Sequence, residues 1–138
     1  MTVSSGEAER ISHDILSSTD EVLSVSVFDR TGNILHVESK ESSKKRFDVF
    51  RWEEGRSGGT VAVATLSLVN EVKDAFGEPQ AIVTMHENCN MMVLPMLSYD
   101  ILLGVVLECS ADANDNNMIA NEIQRVVART LKHSKKKL

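Results

Sequence analysis

Aromatic side chains are scarce in this chain of 138 residues (four Phe, one Trp, one Tyr), and it has only two prolines and two cysteines. Cys89 and Cys109 stand in no metal or redox spacing, which excludes a disulfide scaffold and reads as reduced thiols in a reducing compartment. Long apolar runs are also missing. The longest, Ile101 to Leu107 with Gly104 inside it, falls far short of the roughly 20 residues a membrane span requires. The opening MTVSSGEAER has no basic stretch followed by an apolar one, so the expectation is a chain without a secretory signal, in the cytoplasm. Basic charge is in deficit: 15 Lys and Arg against 20 Asp and Glu give a net charge of −5, which argues against a body-wide nucleic-acid surface.

Catalytic arrangements are missing too. His13, His36, His86 and His133 fall in separate elements, and no serine or cysteine sits in a nucleophile-elbow context. The acidic pairs Glu53–Glu54 and Asp14 with Asp20 read as solvated surface. No catalytic, cofactor-binding or metal-binding residue is therefore assigned, and the chain is not expected to be an enzyme. What remains is ordinary globular material, 42% apolar and 25% charged. It is read as one domain over residues 1–138, with a core from about 6 to 132 and a basic tail from His133 to Leu138.

Periodicity supplies the elements. Ala8, Ile11 and Ile15 form the stripe of a first helix, Gly6 to Ser18. Val22 to Phe28 alternates, with Leu23, Val25 and Val27 on one face and Ser24 and Ser26 on the other, as in a half-covered strand. Asp29 to Asn33 is a hairpin turn in which Gly32 supplies positive φ, and Ile34 to Ser39 is the returning strand. Lys40 to Gly59 is basic at first, then carries Phe47, Phe50 and Trp52, and reads as an ordered loop or short helix. Gln80 to His86, Asn90 to Met96 and Ile101 to Glu108 are three strands joined by short connections, hence antiparallel. Ile101 to Leu107, apolar on both faces, should be central, and Pro95 should mark a strand end or bulge. The last helix, Ala113 to Lys132, has Ile119, Ile123, Val126, Val127, Thr130 and Leu131 on one side.

Between these lies GTVAVATLSLVNEVKDAFG, a helix stopped by Gly77 and Pro79. Its apolar arc spans about 200°, whereas a helix covering one core needs about 100° or slightly more. Such a helix has two surfaces to bury.

Three other constellations read as structure. Met85 to Met92 gathers thioether, imidazole and thiol, but alternation separates Met85 from His86, and the methionines read as packing. Gly55 to Thr60 lacks the lysine of a phosphate-binding loop and reads as linker plus helix cap. The tail residues Lys132, Lys135, Lys136 and Lys137 have no interleaved aromatics, and contact with an acidic partner or membrane surface is the single role they suggest.

The order helix, two strands, helix, three strands, helix resembles the roadblock family, named for a dynein light chain and related to bacterial and archaeal regulators of small GTPases. VLSVSVFDRTGNIL, TVAVATLSLVNEVKDAFG, QAIVTMHENCNMMVLPM, DILLGVVLE and IANEIQRVVARTL carry the resemblance. Lys40 to Arg56 departs from it, being longer than the usual link. The resemblance implies a profilin-like α/β sandwich, a five-stranded antiparallel sheet with helices on both faces. It also implies a homodimer built on the central helix and the third strand. Leu68, Val61, Val72 and Phe76 would then face the sheet, and Ala62, Leu66 and Val69, beside Ile82 and Thr84, would meet the partner. The implied function is a non-enzymatic interaction module or scaffold for a Ras-like small GTPase, without cofactor. The alternative is a small-molecule-sensing domain with Trp52, Phe50 and Phe47 lining its pocket. A longin-type module is disfavoured because a helix precedes the first strand.

Overall fold

The computed structural model describes residues 3–41, 56–108 and 113–136. Phe47, Phe50, Trp52, Cys109, Lys137 and most of the 40–56 segment lie outside the described residues. Helix α1 spans Ser5–Ser18. Its start is a capping box: the Ser4 hydroxyl accepts from the Glu7 amide at 3.1 Å, and Glu7 Oε1 accepts from the Ser4 amide at 3.0 Å. Ala8, Ile11 and Ile15 are fully buried, as their spacing requires.

Strands β1 (Val22–Asp29), β2 (Ile34–Ser39), β3 (Ile82–Met85), β4 (Asn90–Met96) and β5 (Ile101–Leu107) form one antiparallel sheet in the order β2-β1-β5-β4-β3. Helix α3 (Ala113–Lys136) packs with α1 on one face, over Val25, Val27, Met92, Leu94, Leu103 and Val105. Helix α2 (Arg56–Phe76) lies on the other, where Phe28, Ala62 and Leu102 form a second, smaller core. This is the three-layer arrangement expected. β5 is central and buried along its whole length.

Several local readings change. β1 is not half covered. Ser24 and Ser26 are only 2% and 3% exposed, because α2 covers their face, and the Ser39 hydroxyl donates to Ser24 Oγ at 2.9 Å. Nor does Leu23 share a face with Val25 and Val27. The register shifts between Val22 and Ser24, and Leu23 packs instead with Cys89 and Val106. The Gly-rich stretch from Arg56 enters the first turn of α2 rather than linking to it. The last helix continues to Lys136, so the first four tail residues are helical. Asp14 is no solvated surface acid: the buried Thr130 hydroxyl donates to its Oδ2 at 2.7 Å, joining α3 to α1.

Other readings hold. Pro95 is the penultimate residue of β4, opposite Leu102 of β5 and beyond the last pair with β3 (Ile82 with Val93). Gly77, at φ 82°, ends α2, its amide donating to the Lys73 carbonyl at 2.9 Å. Gly104 is in β5 because the Phe28 ring lies over it; a Cβ there would stand 3.1 Å from Phe28 Cε2.

The β1–β2 turn is tied by one carboxylate. Asp29 Oδ1 accepts from the Thr31 amide (2.9 Å), the Thr31 hydroxyl (2.6 Å) and the Asn33 amide (3.0 Å), and Oδ2 accepts from Asn33 Nδ2 at 3.2 Å. Partial burial pushes the Asp29 carboxyl up, but these donors outweigh it and hold the group below its ordinary value of 3.8. A depressed folded value stabilises above the unfolded one. The contribution is therefore complete above 3.8 by about a unit, and is lost as pH falls through the folded value. Asp29→Asn is expected to lower the urea midpoint at neutral pH, with the gap to the parent narrowing below about pH 3.8. A gap that stays constant down to acid pH would refute this.

Candidate interaction surface

The two sides of α2 are unequal. Ala62 (1% exposed), Thr65 (4%) and Val69 (4%) recur at helical spacing and lie against the sheet, with Leu66 half-buried over the Phe28–Leu102 cluster. Phe76 is 86% exposed, Val63 67% and Leu68 42%, while Val72 is half-buried and Ala64 and Ala75 are exposed.

The side-chain assignment read from the sequence is therefore reversed in part. Ala62 and Val69, placed at a partner surface, are buried in their own chain, and Leu66 packs there too. Of the residues placed on the sheet, Leu68 is exposed and Val72 half-buried, while Phe76, on the same side of the helix as Val69 seven residues before it, is exposed as the last residue of α2. The physical reason is the Phe28 ring. It fills the space beneath the helix, so small and β-branched side chains are what allow α2 to approach the sheet. A helical wheel shows the width of an apolar arc, but its rotation depends on what the sheet presents. Val63 belongs to neither side in the sequence reading and is exposed.

Strand β3 lies at the sheet edge and pairs with β4 alone. Ile82 and Thr84 sit opposite Val93 and Met91, on the face that α2 covers. Ile82 is half-buried and Thr84 exposed, the latter 2.8 Å from His86 Nε2. Met85, at the end of the strand, is 77% exposed. The exposed apolar side chains of α2 and the β3 edge, which with β2 is one of the two edges of the sheet, are thus candidate contact features among the described residues.

Chemistry elsewhere is sparse. Glu38 lies between two histidines, 3.6 Å from His13 Nδ1 and 3.4 Å from His36 Nε2. No group of three or more potential ligands able to hold a metal exists among the described residues. Arg30 bonds the Leu97 carbonyl at 2.9 Å and Asp100 Oδ1 at 2.8 Å, clamping the β1–β2 turn to the β4–β5 turn. A cleft of about 320 Å³ between the end of α1 and the start of α3 has a mixed lining, with Met118 and Ile119 beside Glu21, Asp115 and Arg125. Among the described residues no helix is long and apolar enough to cross a membrane.

A five-stranded antiparallel sheet, one helix on one face and two on the other, defines a profilin-like α/β sandwich. Within that class the fold is the roadblock fold. A Roadblock/LC7 domain from Streptomyces avermitilis matches at TM-score 0.62 and 12% identity, over 91% of this chain and 95% of its own. The gliding protein MglB from Thermus thermophilus matches at TM-score 0.65 and 18% identity, over 93% and 90%. An MglB solved with a tetrameric arrangement matches at TM-score 0.62 and 16% identity, over 91% and 90%. No family model and no curated protein matches the chain at the level of sequence. The likeness is one of structure.

Proposed function

We propose that the protein is a non-enzymatic, homodimeric interaction module that binds a Ras-like small GTPase or acts as a scaffold subunit for one. The observation that carries this reading is the set of exposed apolar side chains on α2, together with a β3 edge paired on one side only. Exposed apolar side chains at helical spacing suit a protein partner better than solvent. The interface is placed at Leu68, Val72, Ala64 and Ala75 together with Ile82 and Thr84. The roadblock resemblance supplies the client class, and the tetrameric MglB is a protein of this fold that assembles with itself.

Two measurements test the two halves. Light scattering on the purified chain should give twice the mass of 15.2 kDa. Immobilised protein should then retain a purified small GTPase from the same genome in one nucleotide state more than in the other. A dimer that retains none of them, and changes no GTP hydrolysis rate, would leave the scaffold without its client.

A further inference from the structure

We infer that the outward face of α3 is a docking surface for an anionic lipid membrane. This goes beyond the function proposed above and does not depend on it. From Ile123 to Leu138 the sequence has no Asp or Glu but six basic residues: Arg125, Arg129, Lys132, Lys135, Lys136 and Lys137. The other nine Lys and Arg stand against all twenty acids, so residues 1–122 carry a net −11 and the stretch after them +6.

The placement of these charges matters as much as their number. Arg125, Arg129, Lys132 and Lys136 recur at steps of four, three and four, within about 60° of arc and about 16 Å of helix. Ile123, Val127 and Thr130, on the opposite side, are buried, whereas Arg125, Arg129, Lys132 and His133 are exposed. Arg125 pairs with Glu122 at 3.2 Å, and among the described residues no carboxylate pairs with Arg129 or Lys132. The helix dipole favours cations in the last turn only, and Arg129 and Arg125 stand about two and three turns before Lys136.

The acids of the neighbouring helix do not cancel the row. Asp14 of α1 is engaged by Thr130, Glu7 closes the Ser4 cap, and Glu9 has Arg10 next to it in sequence. Charges more than about 8 Å away are largely screened at physiological salt. A plane of headgroups fits the row better than other polyanions do. Four of the six are lysines, compact hydrated charges without the guanidinium fork that fits a single carboxylate. Clusters of about four to eight Lys and Arg on a helix are what anionic lipid surfaces retain. With α1 beside it on the sheet, α3 belongs to a layer roughly 20 Å wide, too broad for a duplex groove of about 12 Å.

The test is co-sedimentation of the full chain with vesicles of phosphatidylcholine, either alone or with one third phosphatidylserine. At about 0.1 M salt the chain should sediment with the phosphatidylserine vesicles only, and about 1 M salt should release it. Lys132→Gln should weaken binding about fivefold, and Arg129→Gln combined with Lys132→Gln about 30-fold. Both side chains are exposed, so the circular dichroism spectrum should not change. Lys73→Gln, on α2 across the sheet, should weaken binding less than about twofold. Binding to neither vesicle, equal binding to both, a double variant that binds like the parent, or an equal loss in Lys73→Gln overturns the inference. Tighter retention by duplex DNA or by polyglutamate, at equal charge concentration, overturns it in favour of nucleic acid or of an acidic protein.

Discussion

Leu68→Asp is expected to give a folded monomer. In the single chain Leu68 is 42% exposed, so a carboxylate there remains hydrated and the helix keeps its contacts with the sheet through Ala62, Thr65 and Val69. In the proposed dimer the carboxylates would enter an apolar interface, out of water and with no cation opposite. Breaking even on such a site requires partners that the interface lacks, and the dimer should weaken by about 3 kcal/mol or more, at least ~100-fold in dissociation constant. Light scattering near the parent dissociation constant reads the mass, and circular dichroism reads the fold. Ala62→Asp is the counterpart: at 1% exposure its carboxylate would be trapped beneath α2, and insoluble or unfolded protein is expected. The two variants lie six residues apart on one helix and separate assembly from folding. A Leu68→Asp chain that stays dimeric, or one that loses its helical spectrum, would refute the assignment of this side of α2. Leu66→Asp cannot make the same distinction, because Leu66 packs against Phe28 and Leu102.

Phe28→Ala is expected to cost about 3–5 kcal/mol, a large part of the roughly 5–15 kcal/mol by which domains are stable. The Phe28 ring is fully buried, lies over Gly104 and carries Ala62 of α2. The two faces of the sheet are unequally furnished. Among the described residues the α1–α3 side joins nineteen buried apolar residues in one cluster, whereas the cluster beneath α2 is built on Phe28, Ala62 and Leu102, with half-buried Ile34, Val37, Leu66, Met91 and Leu97 around them. Truncating the ring therefore removes the main support of one helix and leaves the other layer intact. Hydrogen exchange should show the amides of α2 losing protection first, while those of β1, β5 and α3 stay slow. Denaturant unfolding gives the total. A loss under about 1 kcal/mol, or a uniform loss of protection, would show that α2 is held by something other than this cluster.

Much of this architecture was legible because local patterns and tertiary demands agree. The stripe Ala8–Ile11–Ile15, the run Ile119–Leu131 and the apolar β5 each have a period that only one kind of neighbour can satisfy. Gly32 and Gly77 adopt the positive φ their positions suggested. The readings that failed are those where a side chain answers to a distant element. Ser24 and Ser26 look solvent-facing along their own strand but are roofed by a helix that begins only at Arg56. Leu23 changes face because a one-residue shift in pairing with β5 rotates it. Asp14 finds Thr130 116 residues downstream.

The candidate surface divides the same way. Sequence alone determined that the helix before β3 is apolar over about 200° of arc and so has two sides to cover, because 3.6-residue periodicity is a local property of the chain. Which side meets the sheet was decided only in the tertiary structure. There the Phe28 ring, standing over Gly104, packs against Ala62 and Leu66 of α2. Close approach then selects Ala62, Thr65 and Val69 for the inside, and Leu68 is turned out.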